Sequence, residues 1–201
     1  MPAADEGTGL SIRVPGVPFD LTFGDWVHDR FWGTGQFAAA QSTPLDPLSA
    51  AGSQAKPGTT TALTIRENNL PSPGTTGLPQ NWEALIYSIQ IVPAVAISLA
   101  DAQDIQTKTL FEFLIGRKVY SSGPVNKFPA GASVYLFTTA NATTQVTNGP
   151  PSPRDQGAFI IPHHIRALGQ FAGKFSFGAA LSITARDMEV HLEGLIKRPV
   201  Q

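Results

Sequence analysis

Two adjacent histidines are one group in this chain whose residue type could support catalysis or metal binding. His163 and His164 are followed by Ile165 and Arg166. A metal site on a strand needs histidines one residue apart, with a carboxylate a few positions on, so that the ligands share a face. Adjacent residues of a strand point to opposite faces, so this pair cannot bind one ion together there. We interpret the pair as a loop pair with hydrogen-bonding roles.

A second candidate is the group Asp25, His28 and Asp29. On a helical turn these three side chains would share a face and could hold a divalent cation. The alternative is a charged helical turn or loop in which Asp29 pairs with Arg30 or its neighbours. We favour the alternative.

The remaining carboxylates and glycines give no catalytic pattern. Asp101 and Asp104 fit the start of a helix, where a carboxylate is favoured by unpaired backbone N–H groups. Gly33-Thr34-Gly35 lacks the third glycine of a dinucleotide-binding fingerprint, so we predict a turn there. The sequence contains neither a nucleophile-elbow motif nor a phosphate-binding loop motif. We therefore expect no catalytic residue, no cofactor and no metal site, and a protein that is not an enzyme.

Composition narrows the class of protein further. Charged residues make up 14% of the chain, against about 25% in ordinary soluble domains. The net charge is −1, and residues 1–30 hold five acidic against two basic residues, a net charge of −3. Direct nucleic-acid binding by the N-terminus is therefore not expected. The lack of cysteine excludes disulfides and thiolate sites.

No targeting segment is expected. The first eleven residues carry Asp5 and Glu6 and lack the apolar core of a signal peptide. The most apolar stretch, 84–100, is interrupted by Gln90 and Pro93 and is too short to span a membrane. We expect a protein made in the cytoplasm, without a transmembrane segment.

Period-two alternation is the clearest structural signal. It predicts strands over 85–92 and 188–196, where apolar residues share one face and polar residues the other. Glycine and proline together number 36, which indicates many turns. Further short strands are predicted at 10–14, 19–23, 62–67, 110–121 (interrupted by Gly116), 133–139, 158–161, 174–177 and 181–185, with a short helix around 100–106.

These elements predict an all-β fold, an antiparallel two-sheet sandwich of jelly-roll type with long loops and an extended N-terminal arm. Residues 1–61 form the arm and an aromatic-rich segment, and residues 62–201 form the sandwich. Small residues and prolines dominate 38–61, so we expect this stretch to order by contact with another chain. The predicted assembly interface consists of Trp26, Phe31, Trp32, Phe37, Leu45 and Leu48.

The chain resembles the single jelly-roll coat proteins of icosahedral viruses, particularly tailless bacteriophages. The resemblance is architectural and covers mainly Ala62 to Gln201: it consists of size, strand-rich texture, arms rich in proline and glycine, absence of cysteine and a strand near the C-terminus. It implies a virion capsid subunit that assembles with copies of itself and with other virion proteins, in contact with an underlying membrane in one version of the hypothesis.

Two other functions remain open. A β-sandwich module of the spike, decoration or lectin type would hold sugar or another surface through Trp26, Trp32 and Trp82, if these rings are exposed and coplanar. An enzyme would need a deep pocket that joins His163 or His28 to a carboxylate.

Overall fold

A computed structural model gives the fold of the chain, which is mainly β as predicted. It describes residues 11–13, 20–22, 26–71, 77–95, 97–128, 137–138, 145–146 and 158–198. Over these residues the strands are β1 (Ser11–Arg13), β2 (Asp20–Thr22), β3 (Trp26–Phe37), β4 (Glu83–Pro93), β5 (Ile97–Ser98), β6 (Thr109–Ile115), β7 (Lys118–Pro124), β8 (Phe137–Thr138), β9 (Gln145–Val146), β10 (Ala158–Ile165), β11 (Phe171–Phe177) and β12 (Arg186–Lys197). The α-helix α1 spans Leu99–Lys108, and a 3-10 helix spans Val125–Lys127.

The larger sheet contains the two strands that alternation predicted. Its order is β10–β4–β12–β3, and every neighbouring pair is antiparallel. On β12 the apolar residues Met188, Val190 and Leu192 are buried, while Glu189 and His191 lie on the other face. The sheet therefore has one core face and one polar face.

The smaller sheet has the order β11–β6–β7, and both of its pairs are antiparallel. β6 and β7 form a hairpin whose turn contains Gly116 at φ 60°, a left-handed conformation that glycine adopts without strain. On the other side of β11, Leu45 exchanges two backbone hydrogen bonds with Phe175, at 3.0 and 2.7 Å. The segment around Leu45 thus lies where a fourth strand of this sheet would lie.

Eight segments of the two sheets pair in a nested order. In chain order they are β3, the Leu45 segment, β4, β6, β7, β10, β11 and β12. The first pairs with the eighth, the second with the seventh, the third with the sixth and the fourth with the fifth. The remaining described strands form two small sheets, β1–β2 and β5–β8–β9.

Phenylalanine rings from the two sheets meet in the core. Phe31 of β3 stacks on Phe171 of β11, with ring centroids 6.0 Å apart. Phe37 meets Phe175 edge to face at 4.9 Å, and Phe111 of β6 lies 5.0 Å from Phe175. All five side chains are buried. This shared apolar layer makes the two sheets a sandwich.

Residues 38–61 pack on their own sheets, which differs from the expectation that a neighbouring chain orders them. Leu45 and Leu48 are buried in the core that both sheets share. β3 leaves room for them because a Cβ at Gly33 would overlap the Pro47 carbonyl oxygen. Two leucines against a glycine-containing strand give this segment apolar contacts within its own chain.

A buried lysine fixes the end of the same segment. Lys56 pairs with Asp187 of β12 at 2.7 Å and also with Glu67. Burial by itself lowers the pKa of Lys56, but hydrogen bonds and charges from Asp187 and Glu67 raise it above its ordinary value. The lysine therefore stays charged and ties 56–67 to the larger sheet.

Several local predictions are confirmed and others are wrong. Helix α1 begins after Ser98, whose Oγ accepts a hydrogen bond from the Asp101 N–H at 3.1 Å, as an N-cap does. Gly33-Thr34-Gly35 lies inside β3 and is not a turn, and the 62–67 and 181–185 stretches are not strands. The 181–185 stretch is held by loop hydrogen bonds such as Leu181 N–H to the Gln41 carbonyl, at 3.1 Å. Most of the predicted 133–139 strand lies outside the described residues.

The packing at Gly33 generates a stability prediction. Replacing Gly33 by Ala should lower the free energy of unfolding by about 1–3 kcal/mol, because the new methyl group displaces Pro47 from β3. Gly178→Ala is the matched control, since the nearest heavy atom to its Cβ would be the Lys108 carbonyl oxygen at 3.8 Å. Urea denaturation of both variants measures the difference. Equal stability of the two would show that residues 38–61 do not pack on β3 in solution.

Asp46 generates a prediction about pH. Burial raises the pKa of Asp46 to about 6. Hydrogen bonds that its carboxylate accepts from the Gly173 and Leu48 N–H groups lower the pKa, but by less. The folded state therefore binds this proton more tightly than the unfolded state does, and the contribution of Asp46 to stability falls as pH rises from about 4 through about 6. Asp46→Asn should remove that loss and raise stability at about pH 8 by up to about 3 kcal/mol.

Thermal unfolding of wild type and Asp46→Asn across this pH range checks the Asp46 prediction. Asp46→Ala is the control, because it also removes the charge but leaves both N–H groups without their acceptor. An Asn variant with the same pH dependence as wild type would contradict the assignment.

Candidate functional site

The polar face of the larger sheet gathers side chains that sequence analysis did not connect. His191 of β12 lies opposite Trp32 of β3 on one side and Gln90 of β4 on the other. Alternate residues of β12 share a face, so Glu189 and Glu193 lie on the same side as His191. The register of three strands, and not their order in sequence, brings these groups together.

Glu193 is the centre of this face. It is 8% exposed and accepts a hydrogen bond from the Gln90 amide at 3.0 Å. The His28 Nε2 lies 3.4 Å from its other carboxylate oxygen. The Tyr87 hydroxyl contacts the same His28 nitrogen, and the two rings stack with centroids 5.9 Å apart.

The electrostatics of this cluster keep the tyrosine protonated. Burial, together with the charge of Glu193, raises the pKa of Tyr87 above its ordinary value. A protonated Tyr87 hydroxyl can donate to His28, while Glu193 accepts from Gln90. The arrangement links β3, β4 and β12 by polar side chains on the face of the sheet that points away from the core.

The neighbouring part of this face is built around Trp32. Its ring stacks on His191 with centroids 6.4 Å apart, and its Nε1 donates to the Arg66 carbonyl at 3.0 Å. His191 Nε2 contacts Glu189 at 3.0 Å, while its Nδ1 is buried without a hydrogen-bond partner. The tryptophan edge is therefore fixed to the 64–67 turn, and its ring to β12.

Of the candidate metal group Asp25, His28 and Asp29, which we did not favour, His28 and Asp29 lie on neither the helical turn nor the loop considered for it. Trp26–Phe37 is a strand and not a helical turn, so His28 and Asp29 point to opposite faces. His28 contacts Tyr87, whereas Asp29 pairs with Arg198, and Asp25 lies outside the described residues. Over the described part of the chain, no group of three or more His, Asp or Glu side chains could hold a metal ion.

The adjacent histidines lie on a strand, β10, and not in the loop that we predicted. They still point apart, as period two requires. His164 Nε2 contacts Glu83 of β4 at 2.7 Å. His163 packs among aromatic rings instead, with centroids 4.2 Å from Phe159 and 5.2 Å from Tyr120.

His163 lines an open cleft of about 580 Å³ between β10, the β6–β7 turn and the β10–β11 turn. Its lining residues are Ile115, Gly116, Tyr120, Ile161, Pro162, His163, His164, Arg166, Gly169 and Gln170. Aspartate and glutamate do not occur in this set. Within the described part of the chain, the cleft therefore does not join His163 to a carboxylate, as the enzyme hypothesis needs it to.

The six residues of the predicted interface separate into two groups. Phe31, Phe37, Leu45 and Leu48 are buried in the core of their own chain. These four side chains are already covered, and they carry no part of the interface proposed below. Trp26 and Trp32 are half-buried on β3.

Comparisons with known proteins assign no family. No family model, curated protein or solved structure matches this chain. Among the described residues, no helix is long and apolar enough to cross a membrane. Function is therefore argued from the geometry of the chain itself.

His163 generates a second prediction about pH. Burial lowers the pKa of His163, so the folded state binds its proton less tightly than the unfolded state does. Its contribution to stability is present above the unfolded pKa of about 6.5 and is lost as pH falls below that value. His163→Phe keeps the aromatic packing and should remove this loss. Melting curves between about pH 7.5 and about pH 5 check it, and parallel pH profiles for both proteins would contradict it.

Proposed function

We propose that this chain is a coat-type structural subunit, a jelly roll that assembles with copies of itself into a closed shell. The nested pairing of its eight segments carries the proposal. A jelly roll is a long antiparallel hairpin wrapped into two packed sheets, so its first strand pairs with its last and its two middle strands form the innermost hairpin. The pairing of β3 with β12, and of β6 with β7, follows that rule.

Small viral coats, lectins and cupins share this architecture, so the fold alone does not choose among them. The sugar-binding alternative requires exposed, coplanar tryptophans. Trp32 is instead stacked on His191, and Trp82 lies under the Arg198 guanidinium at 5.0 Å. Trp26 is half-buried on β3. These tryptophans give the alternative no open platform.

Exposed apolar side chains near β3 support assembly. Val27 of β3 is 45% exposed, and Ile65, on the turn that holds Trp32, is 93% exposed. No described strand pairs with the outer side of β3, but residues of its own chain cover part of it: Gln36 N–H donates to the Pro57 carbonyl and Trp32 N–H to the Asn69 side chain, both at 2.8 Å. Exposed aliphatic residues grouped beside this strand favour contact with a neighbouring subunit. We assign the shell contact to this surface, the β3 edge, formed by Trp26, Val27, Trp32 and Ile65.

Light scattering across a concentration range, with electron microscopy of the same sample, tests assembly. The wild-type mass should rise well above the 21.3 kDa of one chain, and regular shells or rings should appear. The double variant Val27→Glu, Ile65→Asp should need about tenfold more protein to assemble, because two apolar side chains leave the interface. Ile160→Asp, on the opposite edge of the sheet, is the control and should assemble as wild type does.

A mass of 21.3 kDa at every concentration, without particles, would contradict the coat function. Assembly that the β3-edge variant does not weaken would contradict the assignment of the interface.

A further inference from the structure

The opposite side of the sandwich carries a second exposed surface. β10 ends the larger sheet and β7 ends the smaller one, and these strands meet where the Tyr120 and His163 rings lie 5.2 Å apart. The β6–β7 and β10–β11 turns are joined by a hydrogen bond from Gly116 N–H to the Gln170 carbonyl, at 2.8 Å. We name this surface the basic apolar patch. It consists of Arg117, Lys118, Tyr120, Ile160, Ile161, Arg166 and Leu168.

The aliphatic members of the patch are unusually open to solvent. Ile160 is 96% exposed, and its neighbour Ile161 is 58% exposed. Adjacent strand residues normally point to opposite faces, so one of the two would be covered. A register shift between Ala158 and His163 lifts this stretch away from β4 and leaves both side chains uncovered. Apolar groups grouped in this way typically mark an interaction surface.

Leu168 is exposed and strained at the same position. Its φ is 60°, in the left-handed region that a leucine rarely adopts, and its side chain is 64% exposed. Hydrogen bonds hold the turn in this shape, from Leu168 N–H to the Leu78 carbonyl and from Leu78 N–H to the Gly169 carbonyl, at 3.1 and 3.0 Å. Glycine would fit the backbone better. A strained and exposed leucine supports a role for its side chain in binding.

The charges of the patch all have one sign. Arg117, Lys118 and Arg166 are exposed, and segments 116–124 and 158–170 contain no aspartate or glutamate. The Lys118 ammonium lies 5.0 Å above the Tyr120 ring, beside the apolar residues. Glu83, which faces β10 from β4, is held by His164 at 2.7 Å. The patch is therefore locally positive in a chain whose net charge is −1.

We propose that the basic apolar patch docks on the surface of an anionic lipid bilayer. Ile160 and Leu168 insert at the boundary of headgroups and acyl chains, while Arg117, Lys118 and Arg166 lie against lipid phosphates. A bilayer accepts separate protruding side chains without matching their shape. An added strand does not fit β10, because the stretch is bulged and Pro162 has no N–H to donate. This surface extends the proposed coat function by giving the subunit a lipid-facing side, and it is tested independently of assembly.

Flotation of the purified full-length chain with lipid vesicles tests the proposal. Vesicles of phosphatidylcholine containing about a third phosphatidylglycerol should bind the chain, and pure phosphatidylcholine vesicles should bind it much less. Salt at about 0.5 M should weaken binding, because it shortens the range of the electrostatic attraction. If wild type forms shells, the patch could be enclosed within them. The Val27→Glu, Ile65→Asp variant, which assembles less readily, keeps the patch accessible and should bind the vesicles as a monomer.

Variants within the patch give the decisive comparison. Ile160→Asp should reduce vesicle affinity by about tenfold or more, since an apolar anchor is replaced by a charge that the lipid repels. Leu168→Gly removes a second anchor and also relieves the backbone strain. It should therefore weaken vesicle binding while leaving the Tm at or above that of wild type, which loss of a merely structural residue would not do.

Three results would overturn the inference. One is absence of flotation with the anionic vesicles, and another is equal binding of wild type and Ile160→Asp. The third is binding of a short RNA or DNA probe to the patch, if Ile160→Asp weakens that binding and leaves flotation with vesicles unchanged. Vesicle binding by a chain that never forms shells would support the lipid surface and contradict the coat function. Shells without vesicle binding would support the coat function and contradict the lipid surface.

Discussion

The contact between the phenylalanine layers of the two sheets is the constraint on which the rest of the structure depends. Phe31 and Phe37 lie on β3, and they meet Phe171 and Phe175 of β11 across the core. Period two then sets the opposite face of each strand, because every residue between two core positions points outward. The Glu193 cluster is a consequence of this constraint. A shift of β12 by one residue would bury its polar face and expose Leu192.

The sequence predicted those parts of the fold whose pattern is local. β4, β12 and α1 follow from alternation and from a helix cap, and all three are present. β3 was not predicted, because Gly33 and Gly35 suggest a turn when they are considered alone. Their use becomes visible only when Pro47 and Leu45 occupy the space that side chains would fill. That contact joins residues of two different segments of the chain. Composition therefore indicated an arm where the structure has a segment that pairs with β11 and packs on β3.

The cluster on the polar face of the larger sheet could not be predicted from the sequence, for a related reason. His28 lies 59 positions from Tyr87, and Glu193 lies 103 positions from Gln90. Only the register of β3, β4 and β12 brings them together, and sequence spacing does not encode register. His163 and His164 point apart, as expected, although they lie on β10 and not in a loop, because period two separates neighbours on any strand. The metal hypothesis at His28 and Asp29 failed by the same rule, because it assumed a helix.

The two edges of the larger sheet differ in a way that separates their proposed roles. β3 is continuous over twelve residues and pairs with β12 along its whole length, and its outer side is partly covered by its own chain, since the Trp32 and Gln36 N–H groups donate to Asn69 and Pro57. β10 has a register shift and contains Pro162, which interrupt its hydrogen-bonding edge, and it extends Ile160 into solvent. A continuous strand with exposed aliphatic side chains beside it gives a surface of fixed shape, which suits another protein chain. An interrupted edge with protruding aliphatic groups and three cations suits a fluid anionic surface, which has no register to match.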